Sequence, residues 1–209
     1  MNADALLSPL VTLLVAIDPV GLAPVFLSLT QAMPRADRRR VAAAAAVIGF
    51  VTLAAFALAG RQVLAWLGIG LPAFRIAGGL LLFWIAFEMV FEARTDRKQH
   101  TADVAVAKDH IRDVAVFPLA IPLMAGPGAI TAVILLAARA DGDVLALTGL
   151  LALIAAVMAA CWAVFVAAER LSGLLGDTGQ SVLTRLLGIV LAALAVQFVL
   201  DGLKAVGLP

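Results

Sequence analysis

Charge is scarce in this chain. Of its 209 residues only 14% are Asp, Glu, Lys or Arg, and a formal net charge of +1 gives no case for a nucleic-acid or acidic partner. The one cysteine, Cys161, excludes a disulfide within the chain; beside Trp162 in an apolar run, it reads as a small buried hydrophobe. The opening MNADALL carries no basic residue, and the apolar run behind it is too long for a cleaved leader, so it is expected to be retained as a first span. No nucleophile-base pair, phosphate-binding loop or cofactor motif is found, so neither enzyme chemistry nor a cofactor is expected. His100, Asp103, Asp109, His110 and Asp113 share a charged stretch without ligand-like spacing, and no metal site is expected there.

What remains is apolar. Hydrophobic residues make up 64% of the chain, and its mean hydropathy of +1.08 lies far above the range of soluble domains. A span needs about 20 apolar residues, so the length allows about six spans and no soluble domain beside them. Apolar runs occur at Leu6 to Met33, Val41 to Leu67, Phe74 to Phe91, Val114 to Ala138, Val144 to Ala168 and Leu183 to Leu203. They are too long for barrel strands and rich in Ala and Leu, so the expected fold is an all-α polytopic membrane protein of six transmembrane helices. Pro34 after the first run, Gly68 and Gly70 after the second and Pro72 at the start of the third fit helix boundaries.

The longest polar stretch, Glu92 to Asp113, divides a single transmembrane domain, 1–209, into two sets of three spans. The expected organisation is repeat 1 at about 5–92, a cytoplasmic linker at about 93–113 and repeat 2 at about 114–209. Three spans per set make the sets opposite in orientation, a 3+3 inverted repeat of the kind secondary transporters use. Pro19 and Gly68 recur as Pro127 and Gly176 at an offset of 108, and Arg75 and Gly78 recur as Arg185 and Gly188 at 110. Eleven basic residues, among them Arg35, Arg38, Arg39, Arg40, Arg170 and Arg185, flank one side of the spans, against Arg61, Arg75, Arg139 and Lys204 on the other. That bias predicts both termini outside, with Arg38, Arg39 and Arg40 as topology anchors rather than a binding patch.

Two interruptions fall near the middle of the first and fourth runs: Asp18-Pro19-Val20-Gly21 and Gly126-Pro127-Gly128. Proline removes a helical hydrogen bond and glycine tolerates irregular backbone, so both helices are expected to be broken there, from 18 to 21 and from 126 to 128. Irregular backbone at that depth must be buried in protein or line a watery cavity, and the repeat would bring the two breaks into one central site. The half-helix beginning at Pro127 is expected to present the N–H groups of Gly128, Ala129 and Ile130 to a carboxylate. Asp18, capping the half that begins at Pro19, suits an ammonium, a sodium ion or a proton. Together they suit a zwitterion, and the small residues around them, with Thr131, favour a small neutral amino acid. The competing reading makes Asp18 only a cap and the prolines only kinks. Arg75 and Arg185 open the third helix of each half as anchors or pairing partners; Glu88 and Gln197, toward the far ends, suit a solvated position or a relay. Gly78, Gly79, Gly149 and Gly188 suit close helix packing.

Four segments, AIDPVGLAPVFLSLT, GIGLPAFRIAGGLLLFWIAFEMV, VFPLAIPLMAGPGAITAVILLA and LTRLLGIVLAALAVQFVLDGL, resemble the signature segments of the MarC family of bacterial inner-membrane proteins, within the LysE transporter superfamily. The resemblance covers nearly the whole chain and implies six spans in a bacterial inner membrane, which would make both termini periplasmic. It also implies kinship with described transporters of small neutral amino acids and with amino-acid exporters. Relatives often carry an asparagine after the first-break glycine, where this chain has Leu22. The expected function is a secondary transporter of small neutral amino acids of the glycine or alanine type, coupled to H+ or Na+ through Asp18, with the lipid bilayer as surroundings and a homo-oligomer allowed. A non-transporting scaffold or lipid-interacting protein is the alternative; drug efflux, which the family name suggests, fits the small centre less well.

Overall fold

The computed structural model describes residues 3–31, 33–91, 115–140 and 143–207. The expected linker, with His100, Asp103, Asp109, His110 and Asp113, lies outside the described residues. Regular structure within them is helical. Helices α1 (Ala3–Ile17), α2 (Pro19–Thr30), α3 (Arg35–Trp66) and α4 (Leu71–Val90) form the first half. The second half begins with a wound but irregular segment, Ala115–Met124, and continues with α5 (Pro127–Arg139), α6 (Val144–Val166) and α7 (Ala168–Ala205).

Five stretches are long and apolar enough to cross a membrane: Leu7–Thr30, Arg35–Trp66, Leu71–Val90, Val144–Val166 and Ser181–Ala205. The bent pair Ala115–Met124 and Pro127–Arg139 makes a sixth if taken as one span. The chain is therefore an all-α polytopic membrane protein. Helix α3, with 32 residues, is about 48 Å long, so part of it projects beyond about 30 Å of hydrocarbon. Gly68 (φ 69°) closes the turn after α3, and Gly176 (φ 60°) kinks α7 ahead of its membrane-crossing part. Both sit in the left-handed region, where a side chain would be strained.

Enclosure sets the first span apart from the other four unbroken ones. Of its most apolar stretch 61% is buried, against 28 to 39% for the other four, so α1 and α2 run through the middle of the bundle. Around them, Leu13, Ile17, Leu22 and Phe26 pack into one core with Ala42, Leu53, Met124, Ala129, Ile154 and Cys161. Cys161 is thus buried, as expected from its neighbours.

The most extensive helix pair is α4 with α7. A Cβ on Gly79 would meet the Ala195 carbonyl at 2.8 Å and Val199 Cγ2 at 2.7 Å; a Cβ on Gly188 would meet the Ala86 carbonyl and Val90 Cγ2, both at 3.1 Å. The two contacts mirror each other: Gly79, Ala86 and Val90 each recur 109 residues later as Gly188, Ala195 and Val199. Small residues here let two backbones approach closely, which supplies packing where lipid removes the hydrophobic drive.

Candidate functional site

The break at Asp18 is confined to one residue. Asp18 has φ 57° and ψ 66°, a left-handed conformation that costs a non-glycine residue about 1–2 kcal/mol and that aspartate tolerates better than most. Helical bonding resumes at once on either side: the Asp18 N–H donates to the Leu14 carbonyl (2.8 Å) and the Leu22 N–H donates to the Asp18 carbonyl (3.1 Å). Pro19 has no N–H to lose, and the Gly21 N–H donates to Asp18 Oδ1 at 3.0 Å. A Cβ on Gly21 would collide with the Asp18 carboxylate, so glycine is what lets the acid fold back over its own helix. The irregular stretch expected from 18 to 21 is therefore Asp18 alone, because one left-handed residue with a side-chain cap absorbs the interruption. Asp18 is 1% exposed, a carboxylate enclosed within the bundle.

The second break is built otherwise. Gly126 is extended (φ −83°, ψ 174°), no side chain caps α5, and the segment before it meets α5 at 59°. Irregularity also starts earlier than the expected 126–128. Phe117 and Ile121 are extended inside Ala115–Met124, each directly ahead of a proline, Pro118 and Pro122. A residue before proline is driven out of the helical region, and two such pairs within six residues keep this half of the span from forming a regular helix. By contrast Pro127 and Gly128 are helical. Ile130 does not present a free N–H as expected, since it donates to the Gly126 carbonyl at 2.9 Å and so belongs to the regular first turn. That leaves Gly128 and Ala129 as the first-turn donors, both buried, beside the exposed ring of Pro127.

Residues flanking both breaks meet in shared cores. Ile17, Leu22 and Ala23 pack in one cluster with Ala125, Ala129 and Ala132. Val15 and Ala16 pack in a second with Leu82, Ala86 and Leu135, and a Cβ on Gly128 would meet Ile85 and Leu82. Both breaks thus border the middle of α4. Thr131 is buried, and its methyl group lies where a Gly78 side chain would be, so its branch packs helix on helix.

The outlying candidates separate. Arg75 sits in the second turn of α4, half-buried, with its Nε enclosed and without a hydrogen-bond partner. Arg185 is exposed on α7. Glu88 corrects the expectation of a solvated helix end: it is 7% exposed, and its Oε1 accepts the Trp84 indole N–H at 3.1 Å. Gln197 is exposed and donates to Asp201 Oδ1 at 2.7 Å, while Arg139 reaches Asp201 Oδ2 at 3.4 Å and lies 5.2 Å from the centre of the Phe198 ring. This Arg139, Asp201 and Gln197 group ties α5 to α7. Its internal part, Gln197 and Asp201 four residues apart on one helix, was readable from spacing; its partner 62 residues away was not. Among the described residues no cluster of His, Cys, Asp or Glu is arranged to hold a metal ion.

Comparison with known proteins gives one consistent match. Residues 3–206 match the family described as MarC family integral membrane protein. The UPF0056 membrane protein of Aquifex aeolicus is 38% identical over 198 residues, covering 92% of this chain and 89% of that protein. The UPF0056 membrane protein MJ1677 of Methanocaldococcus jannaschii is 36% identical over 190 residues, 90% of each chain. The UPF0056 membrane protein YhcE of Escherichia coli is 35% identical over 193 residues, 91% of this chain and 87% of that one. These names specify a membrane protein and no substrate. No solved structure matches the chain.

Proposed function

Starting from the premise that this chain belongs to the MarC family of integral membrane proteins, we propose that it is a secondary transporter of small neutral amino acids in a bacterial inner membrane. The observation that carries the reading is Asp18: an acid 1% exposed, at a left-handed break inside a span enclosed by the rest of the bundle. Ionisable groups at such depth are expensive and are kept where an ion or substrate needs them. In this reading Asp18 binds the coupling ion, H+ or Na+, or the substrate ammonium. The carboxylate of the substrate is met by the positive end of α5, through the N–H groups of Gly128 and Ala129. Pro19, Gly21, Gly126, Pro127 and Thr131 shape the backbone and packing of the two breaks rather than contact the substrate. The mirrored α4 and α7 contacts, and left-handed Gly68 and Gly176 at the offset of 108, support an inverted repeat relating the breaks. Arg35, Arg38, Arg39 and Arg170 gather at one end of the bundle, which supports a cytoplasmic face there and periplasmic termini.

A second reading has a specific observation behind it. Asp18 gives one carboxylate oxygen to the N–H of Gly21, so a scaffold in which the acid only caps α2 accounts for the same bond. Flux separates the two. Purified protein in liposomes, given labelled glycine or alanine under imposed proton or sodium gradients, should accumulate or release label in step with one gradient. Absence of gradient-dependent flux for every amino acid tried would leave the scaffold reading.

A further inference from the structure

Arg75 has no part in either break. It stands in the second turn of α4, where about 100° of rotation per residue puts it on the face of Gly78, Gly79 and Leu82, all buried, and opposite Leu80, Leu81 and Trp84, all exposed. On that face Gly78 packs against α5 and Gly79 against α7. An arginine at a lipid-facing position runs its side chain along the hydrocarbon to water. This one belongs to a seam between helices, half-buried, with its Nε enclosed and without a hydrogen-bond partner.

Charge makes that position expensive. A guanidinium stays protonated, and an enclosed N–H that bonds to nothing bears its full desolvation cost. The acid at this end of α7, Asp201, does not answer it: its Oδ1 accepts from Gln197 at 2.7 Å and its Oδ2 faces Arg139 at 3.4 Å. Glu88, on the same helix as Arg75, is about 20 Å further along. Among the described residues no acid pairs with Arg75. A ligand anion would supply what the chain does not.

The position of Arg75 identifies the anion. Helix α5 runs beside α4 in the opposite sense: a Cβ on Gly128 would meet Leu82 and Ile85, and a Cβ on Gly78 would meet Thr131 and Leu135. Along α4 from the first turn of α5, the order on the shared face is therefore Leu82, Gly78, Arg75, with Arg75 about 10 Å beyond Leu82. The N–H groups of Gly128 and Ala129 and the Arg75 guanidinium thus border one face of one helix. The Thr131 methyl, seated over Gly78, separates them, so they are successive stations and not one site. A guanidinium binds carboxylate oxygens through paired N–H donors, and a seam that faces α5 and α7 rather than the bilayer favours a small solute over a lipid headgroup. We propose that Arg75 is a carboxylate-binding residue, the station at which the carboxylate of a small neutral amino acid is held on the outer side of the first turn of α5. The identity of the ligand rests on the transport reading; the binding of a carboxylate at Arg75 does not.

The test uses the intact protein in a neutral detergent, with acetate, glycine and glycinamide as probes, read by titration calorimetry and thermal unfolding. Acetate and glycine are expected to bind and to raise the unfolding temperature, and glycinamide, which lacks the carboxylate, to do neither. Arg75→Gln should weaken acetate binding about tenfold, the loss of one charge-assisted pair, and Arg75→Lys should recover part of it. Lys204→Gln, which removes an exposed cation from the same end, should bind as the unaltered protein does. In liposomes Arg75→Gln should raise the glycine concentration for half-maximal flux about tenfold and leave the maximal rate within about twofold. Acetate bound equally by Arg75→Gln, glycinamide bound as strongly as glycine, or no acetate binding to the unaltered protein would each overturn the proposal. Acetate binding that is lost with Arg75, in a protein without flux, would sustain the site and fail the transport reading; undiminished binding in Arg75→Gln with normal flux would do the reverse. If Arg75→Gln does not fold, Arg75→Met, which leaves no polar group to satisfy, takes its place.

Discussion

The two breaks use the same proline at the same helical position and treat the helix end behind it in opposite ways. At Pro19 the positive end of α2 is covered by its own acid, Asp18, within a span that runs on as a single stretch from Leu7 to Thr30. At Pro127 the positive end of α5 has no side-chain cap, and the chain arrives at 59° through a segment already irregular at Phe117 and Ile121. One break is neutralised from within and nearly hidden; the other is left electrically open beside an exposed proline ring. Pro9 and Pro24 are carried inside α1 and α2 without a break, so proline alone does not interrupt these helices; at Pro19 and Pro127 the residue before the proline decides what the interruption offers. Aspartate keeps a negative charge at the centre of the bundle. Glycine leaves a positive pole for something else to meet.

The glycines of the two breaks should respond to a methyl group unequally, and the second should respond most. A Cβ on Gly126 would lie 2.5 Å from the Pro122 carbonyl oxygen. Its φ and ψ suit any residue, so the cost is purely the collision, and backbone cannot turn aside as a side chain can. Gly126→Ala should lose about 3 kcal/mol or fail to fold, read from denaturant unfolding in detergent. A change below about 1 kcal/mol would mean that the sharp bend is not held by this contact.

Charge is the next distinction to break. Asp18→Asn keeps size and most capping strength, so stability should change by less than about 1 kcal/mol. If the carboxylate carries ion or substrate, gradient-driven flux should fall at least about tenfold in the same preparation. Flux at the unaltered rate, with unaltered ion dependence, would reduce Asp18 to a cap and remove the functional difference between the breaks.

How much of this the sequence disclosed follows from the range of the forces involved. Apolar runs marked every membrane-crossing stretch, and Pro19 and Pro127 marked helix starts, because span length and proline sterics are local. Gly68 and Gly176 were paired by position before their shared left-handed geometry was visible. The extent of the second break is not marked by hydropathy, because Phe117 and Ile121 are as apolar as a regular span requires and only the prolines after them, Pro118 and Pro122, take them out of the helix. Burial of Glu88 depends on packing, which hydropathy does not report. The meeting of Arg35 with Arg170 is a tertiary fact, and no spacing rule over so long a separation announces it.

Gly21 offers a milder probe of the first break. A Cβ there would press on the Asp18 carboxylate, a side chain that can swing away. Gly21→Ala should therefore cost about 1 kcal/mol, the typical worth of a helix cap, and leave the backbone path unchanged. Thermal unfolding of Gly21→Ala beside Gly126→Ala measures the contrast directly: a larger loss at Gly21 would invert it.

The smallest expected effect belongs to Thr131, one turn into α5. Its methyl group fills the space that Gly78 leaves on α4, so the packing role is carried by carbon. Thr131→Val keeps that methyl and removes only the hydroxyl, and stability should shift by no more than about 1 kcal/mol. Flux should stay within about twofold of the unaltered protein, since the donors offered to a substrate carboxylate are the backbone N–H groups of Gly128 and Ala129, which the substitution leaves in place. Thr131→Ala removes the packed methyl as well and should cost more stability than Thr131→Val does. Should flux through Thr131→Val drop tenfold with stability intact, the hydroxyl faces the substrate. The second break would then carry a polar side chain of its own, and its difference from the first would be one of charge rather than of side chain against backbone.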